Sequence, residues 1–300
     1  MATRVSAPLN DSDEIFFHND GVSLCLIVNR RARTMRVVDF RSGPHPAKRI
    51  FVMSLARREG VDRVFTLVER DECSTWGRLG FAKEGNVPSF YKRSDAFILG
   101  CAVPHREDDA PEQSGLRPAV VEADDSELER LYQAARKLGK ERESVTLPQV
   151  RVQAGREQDV KKAVAAALRS KRALSGFEPF GRDVERLSFA CTSRGGFSLV
   201  ASVETQPCFN NAFLELLTAP RTEKEALLTT SAIRQLCEDL FEREIVSCFA
   251  LTPVKDVELG AAFAVNGFRR TGTLRQHLLI AGRRVDAFLW SRKLAQPSDG

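Results

Sequence analysis

Apolar and polar positions change over in short blocks along this chain, and the blocks fall into two similar series. The runs at 14–18 and 22–28 are apolar and rich in β-branched and aromatic residues, with Asn19-Asp20-Gly21 between them as a hairpin signal. A third strand is expected at 35–40, before Gly43, Pro44 and Pro46 break the backbone. A helix follows at 47–58, with Ile50, Met53 and Ala56 at helical spacing on its inward side, and Gly60 ends it. The pattern then predicts a strand at 64–68, a short helix at 73–79 and two strands within 79–100. Residues 1–13 read as polar and loose.

The stretch 101–116 turns polar and carries Pro104, Pro111 and Gly115, as a linker does. Beyond it the same logic predicts a strand at 117–122 and a helix opened by a Ser126/Glu129 capping box. The apolar face of that helix is Leu128, Leu131, Tyr132, Ala135 and Leu138. A second helix carries Val160, Ala163, Val164, Ala167 and Leu168. Strands are expected at 187–192, 197–203 and 212–217. A helix then starts at the Thr222/Glu225 capping box, with Ala226, Ile233, Leu236 and Leu240 inward. A strand at 245–251, a helix at 257–265 and two final strands joined near Ala281-Gly282 complete the order.

The two series close on imperfect copies of one stretch. Residues 79–100 read LGFAKEGNVPSFYKRSDAFILG, and residues 266–291 read NGFRRTGTLRQHLLIAGRRVDAFLWS. Both open on Gly-Phe, reach a second glycine at Gly85 or Gly272, and end on Asp-Ala-Phe. A repeat this far apart implies two versions of one unit. The expected division is a unit at 1–102, a linker at 103–116 and a unit at 117–300.

Composition narrows the class. With 300 residues, 43% hydrophobic and 28% charged, the chain has the makings of a globular protein with a real core. A net charge of +5 permits an anionic ligand, but nucleic-acid binding calls for a more concentrated basic face. The cluster Arg30, Arg31, Arg33 and Arg36 reads as a solvated hairpin turn without aromatic interleaving. Seven cysteines without a C-x-x-C pair spell neither a zinc site nor a disulfide framework, so no metal is expected and most thiols should be buried. No run approaches a membrane span, and the first residues lack a signal-type apolar core. The expected compartment is the cytoplasm.

In the order of its elements the chain resembles the GCN5-related N-acetyltransferase family, present twice in tandem. The likeness rests on the short helices running into Leu79-Gly80-Phe81 and Asn266-Gly267-Phe268, and on the strand-loop-helix segments at 37–58 and 214–241. It implies an α/β (α+β) fold of two tandem units, each a mixed, mostly antiparallel sheet flanked by helices. It also implies acetyl-CoA as cofactor, held by a glycine-bearing loop that opens a helix, where free N–H groups and the helix dipole attract the pyrophosphate. In the first unit that loop holds Arg41, Gly43, His45, Lys48 and Arg49, the candidate cofactor-binding residues. Pro44 and Pro46 stand at the two glycine positions of the family pattern and remove N–H donors. In the second unit the loop has no glycine and carries Glu223 and Glu225.

The family's reaction needs an amine freed of its proton, often by a strand carboxylate, and often a tyrosine four residues before the Gly-Phe glycine as acid. The candidate bases are Asp39 and Glu215, each four residues before the loop position marked by Gly43 or Ala219. At the acid position stand Trp76 and Phe263, neither of which gives up a proton. Tyr91 and Tyr132 are expected to pack with a bonded hydroxyl, and His18, His105 and His277 to lie at turns or on the surface. Two functions follow as expectations. One is transfer of an acetyl group to an amine of a small molecule or protein. The other is a catalytically silent fold serving as a binding or regulatory module.

Overall fold

The computed structural model describes residues 2–6, 12–41, 43–104 and 124–295, with the backbone alone for 2–6. The first series is β1 (Ala2–Ser6), β2 (Ser12–His18), β3 (Ser23–Asn29), β4 (Thr34–Asp39), α1 (Pro46–Arg58), β5 (Arg63–Val68), α2 (Cys73–Arg78), β6 (Ala82–Val87) and β7 (Ala96–Ala102). The second opens with α3 (Asp125–Arg142), β8 (Arg151–Ala154) and α4 (Glu157–Arg169). It continues with β9 (Glu185–Thr192), β10 (Ser198–Gln206), β11 (Asn211–Leu216), α5 (Glu223–Glu242), β12 (Ser247–Pro253), α6 (Val257–Val265), β13 (Arg269–Ile280) and β14 (Arg283–Lys293).

All strands join one mixed sheet in the order β1-β2-β3-β4-β5-β7-β6-β13-β14-β12-β11-β10-β9-β8. Taken from its two ends the order is the same, which gives the sequence repeat its structural meaning. β4–β5 and β11–β12 are the parallel pairs, and the other pairings are antiparallel. The parallel pairs are bridged by α1 and α5, because parallel neighbours need a long crossover. The halves of the sheet meet where β6 and β13 share one residue pair, Gly85 with Gly272. These are the second glycines of the repeated stretch. A Cβ on Gly272 would lie 2.4 Å from the Gly85 Cα, so the join requires the backbones to touch.

The repeated aspartates also have a local cause. Asp95 accepts the Ser89 N–H at 2.9 Å, and Asp286 accepts the Gln276 N–H at 2.7 Å. Ser89 (φ 56°) and Gln276 (φ 48°) are left-handed, and each carboxylate fixes an irregular turn in the chain ahead of it.

Three of the four apolar clusters among the described residues hold the layers. One packs α1 and α2 on Met35, Val37 and Val64, and a second packs α3, α5 and α6 on Ala212, Leu214 and Cys248. The third lies between the halves, on the opposite face of both half-sheets, where Phe65, Phe90, Phe180, Phe213 and Phe249 meet. Phe90 O accepts the Asn211 side-chain amide at 2.9 Å, and the His277 ring stands edge-on to Phe65 at 4.9 Å. Each half thus sends a turn across to the parallel strands of the other.

Several expectations are corrected. The loose first residues contain β1, which pairs with β2, and β8 extends the other end of the sheet. Ile50 is 71% exposed, because the buried side of α1 is centred on Lys48, Val52 and Leu55, and Ile50 falls on the opposite side. Asp124, not Ser126, caps α3, and the Ser126 hydroxyl bonds the Asp124 carboxylate. His277 is buried, not superficial. The arginine cluster is not a solvated turn: Arg30 pairs with Asp13 and Glu59, Arg31 with Glu178 and Arg33 with Asp62, while Arg36 is buried. His105, most of the expected linker and the strand at 117–122 lie outside the described residues. No described helix is long and apolar enough to cross a membrane.

Candidate functional site

β4 and β5 pair in parallel from Thr34–Arg63 to Val37–Thr66, and there the ladder ends. The Thr66 hydroxyl takes the Val37 carbonyl at 2.9 Å, and beyond it the two strands carry on without pairing. A cavity of about 440 Å³ lies at this parting. Its walls come from Val38, Asp39 and Phe40 on one side and Leu67, Val68 and Glu69 on the other, with Trp76 from α2. Arg182, Asp183, Gln206 and Phe209 of the second half complete it. The first half lacks helices ahead of its strands, and the second half supplies the missing wall.

The loop between β4 and α1 is fastened internally. The Lys48 ammonium is fully buried and bonds the Asp39 carboxylate and the Arg41 carbonyl. The Asp39 carboxylate also accepts the Arg41 N–H at 3.1 Å. The Arg41 guanidinium bonds the Asp20 carbonyl in the β2–β3 turn, and the Arg49 guanidinium bonds the Leu79 carbonyl beside Gly80. A Cβ at Gly80 would meet that guanidinium at 2.2 Å, so this glycine keeps both a φ of +83° and the space. His45 caps α1, its ring nitrogen accepting the Ala47 N–H at 3.3 Å, while the Lys48 N–H goes to the His45 carbonyl. The ring lies over Gly21, where a Cβ would approach it to 3.0 Å. Gly43 has a φ of +115° and open space around it, at the turn into the loop. With Pro44 and Pro46 carrying no N–H, the described residues of this loop form no run of free backbone donors for a pyrophosphate.

The second wedge is built alike and filled differently. β11 and β12 pair from Asn211–Ser247 to Leu214–Ala250. The segment 173–183 then lies across β11: Ala173 bridges Thr218, the Leu174 N–H donates to Leu217 O at 2.9 Å, and the Phe180 ring packs 4.7 Å from Phe213. The cavity left there is about 90 Å³. Glu215 forms part of its wall and is held by the Ser175 hydroxyl and by Arg186 at 2.8 Å. Arg186 also bonds Glu204 at 2.7 Å, and Glu204 accepts the backbone N–H groups of Phe180 and Gly181. Burial raises the Glu204 pKa, against the pull of Arg186 and those N–H donors.

Asp39 and Glu215 are not equivalent positions. Strand pairing starts at Asn29–Thr34 in one half and Gln206–Asn211 in the other, after turns ending in left-handed Arg33 (φ 52°) and Asn210 (φ 51°). Aligned on these turns, Asp39 matches Leu216 and Glu215 matches Val38. A shift of one residue changes the face of the sheet. Asp39 accordingly bonds Lys48 of α1, whereas Glu215 faces Arg186 on the other side. The structure brings Asp39, Arg41 and Lys48 together and leaves Glu215 in the other half.

The sequence did not single out Arg182 or Gln206, and Arg36 reads in it as part of a solvated turn. Arg36 stood in a strand between apolar neighbours, a pattern that signals a buried charge. Arg182 and Gln206 come from irregular or strand-end positions that no periodicity marks. Tyr91 bonds Leu67 O at 3.4 Å, as expected of a packing tyrosine.

No sequence-family model matches this chain, and no curated protein is significantly similar to it. Solved structures of acetyltransferases do resemble part of it. A protein from Sphaerobacter thermophilus classed as an acetyltransferase is 19% identical over 50% of this chain and 99% of its own, with a TM-score of 0.39. The spermidine N-acetyltransferase of Vibrio cholerae, solved with CoA and spermine, is 13% identical over 49% of this chain and 97% of its own, with a TM-score of 0.40. Likeness at this level carries no conclusion about chemistry, which has to come from the site.

Proposed function

We propose that the chain is a duplicated N-acetyltransferase-type fold in which the first wedge binds a small ligand, and that the protein works as a binding module without acyl transfer of its own. The observation that supports this most is the state of the β4–α1 loop. Of the groups that would meet the pyrophosphate of acetyl-CoA, Lys48 is buried and bound to Asp39 and the Arg41 carbonyl, and Arg41 and Arg49 each bond a backbone carbonyl. As folded, the loop withholds its lysine, and Pro44 and Pro46 remove two N–H donors, which speaks against acetyl-CoA here. The position of the family's acid is occupied by Trp76 in one half and Phe263 in the other, and both are buried.

Acetyl transfer from acetyl-CoA to an amine of a small molecule or protein is the second reading. It is favoured by the parting of β4 and β5 beyond Val37 and Thr66 and by the open cavity beside it. In that reading Asp39 is the candidate base of the first wedge, Glu215 that of the second, and Arg41, Gly43, His45, Lys48 and Arg49 form the cofactor loop. It requires the loop to release its present bonds.

Calorimetric titration with acetyl-CoA, joined to a thiol-release assay over a panel of amines, separates the two. Absence of both binding and thiol release is the expected result. Binding that is lost in Arg41→Glu, together with amine-dependent release of CoA, overturns the module and establishes the transferase.

A further inference from the structure

Unpartnered polar atoms gather at one place in this molecule. Among the described residues, buried side-chain nitrogens or oxygens without a hydrogen-bond partner include Arg36 Nε, Trp76 Nε1, Arg182 Nε and Gln206 Oε1. All four residues line the wedge cavity of about 440 Å³. Native interiors leave few such groups, and several on one cavity wall point to a ligand that completes them.

The chemistry of the four defines one end of that ligand. Three are N–H donors, two of them on guanidinium groups. Arg36 is the telling one. It is buried, its one described hydrogen bond goes to the Phe180 carbonyl, and it makes no ion pair with a described carboxylate. Desolvation works against its charge and lowers its pKa. A guanidinium in that setting calls for an anion, and a planar carboxylate suits both guanidinium and indole donors. Arg182 differs, since its Nε already ion-pairs Glu14 at 3.7 Å and Asp183 at 3.5 Å, though without hydrogen-bond geometry.

The rest of the cavity has the opposite sign. Glu69, Asp71 and Glu72, between β5 and α2, line it together with Asp183 from the second half. Phe40, Phe90, Tyr91 and Phe209 provide apolar and π surface between the two ends. A simple anion would be repelled by this acidic side, and a simple amine would leave Arg36 unanswered.

We propose that the first wedge binds a small zwitterion of the amino-acid class. Its carboxylate meets Arg36 and Trp76, its ammonium lies toward Glu69, Asp71 and Glu72, and its side chain rests on the aromatic surface. The proposal rests on the reading of the first wedge as a ligand site and adds the class of ligand. It gives Trp76 a use as a hydrogen-bond donor that no proton transfer requires.

The test is a thermal-shift and calorimetric screen of the full chain with the twenty standard amino acids, each hit set against its decarboxylated amine and its deaminated acid. One amino acid or a few should stabilise the protein, with both single-charge analogues bound at least tenfold more weakly. Glu72→Gln, at a half-buried position, should weaken the zwitterion and the amine while leaving the acid unaffected. Trp76→Phe, which keeps an aromatic ring, should weaken the zwitterion and the acid. An amine that binds as tightly as its parent amino acid overturns the zwitterion while the wedge remains a ligand site. If none of the three series binds, both the zwitterion and the ligand-site reading fall.

Discussion

Replacing Lys48 by Met distinguishes a structural lysine from one reserved for phosphate. The Lys48 side chain is 1% exposed and its Asp39 partner 8%, so solvent screens their contact little. The substitution keeps most of the apolar volume and removes the charge, leaving Asp39 with the Arg41 N–H as its described donor. It also leaves the Arg41 carbonyl without its Lys48 bond. Breaking one side of a buried pair costs about 3–5 kcal/mol, chiefly through the uncompensated partner. At roughly 2–4 °C per kcal/mol, the figure for about 150–250 cooperatively folded residues, the melting point should fall by about 6–20 °C. Urea unfolding followed by tryptophan fluorescence suits the measurement, because Trp76 lies in the first half and Trp290 in the second. Lys48→Met with Asp39→Leu should recover much of the loss, since replacing both partners removes the stranded charge. A loss below about 1 kcal/mol in Lys48→Met, coupled to abolished acetyl-CoA binding, would refute the reasoning and make Lys48 a free phosphate ligand.

Three further outcomes are expected. Gly272→Ala places a Cβ 2.4 Å from Gly85 Cα and 2.5 Å from Glu84 O, so the join of the half-sheets should shift at a cost of about 1–3 kcal/mol or more, seen as faster proteolysis around β6 and β13. Burial and the charges of Arg63 and Arg284 hold the His277 pKa well below its ordinary value. The unfolded chain then takes up a proton near pH 6.5 that the native state refuses, so stability is complete above that pH and declines as pH falls below it; His277→Gln should flatten the slope of urea midpoints between about pH 5 and 7.5. Glu215→Gln leaves Arg186 its bonds to Glu204 and Ser202, so it should cost only about 1–3 kcal/mol and leave ligand binding in the first wedge unchanged by calorimetry.

The duplicated order of elements was legible because strand alternation, helix spacing and the Gly-Phe and Asp-Ala-Phe copies are local signals. Thr222 illustrates the good case: its hydroxyl accepts the Glu225 N–H at 3.1 Å, as the capping box requires, although the Glu225 carboxylate takes the Arg221 N–H at 2.7 Å. The candidate site was harder to read for two physical reasons. Loop counting placed Asp39 and Glu215 at matching distances from their helices, but strand register is set at the hairpin turn, and a one-residue difference reverses the face. The basic loop looked available because a sequence shows charges and not their partners. Lys48 reads as a cofactor-loop cation and Ile50 as inward, whereas Lys48 lies on the buried side of α1 and Ile50 opposite it.

The asymmetry of the two wedges follows from a single stretch of chain. Segment 173–183 is anchored by Glu204 through the N–H groups of Phe180 and Gly181, and by Arg31 of the first half through Glu178. From that anchorage Phe180 fills the space beside Phe213 and shrinks the second wedge to about 90 Å³. The same anchorage carries Arg182 and Asp183 onward to line the first wedge, which stays open at about 440 Å³. Arg36 ties the two effects together, since its guanidinium on β4 is oriented by the Phe180 carbonyl. Closing one site and walling the other are therefore one structural event. Loosening the segment by Glu204→Gln should disturb both cavities at once, even though Glu204 does not line the first.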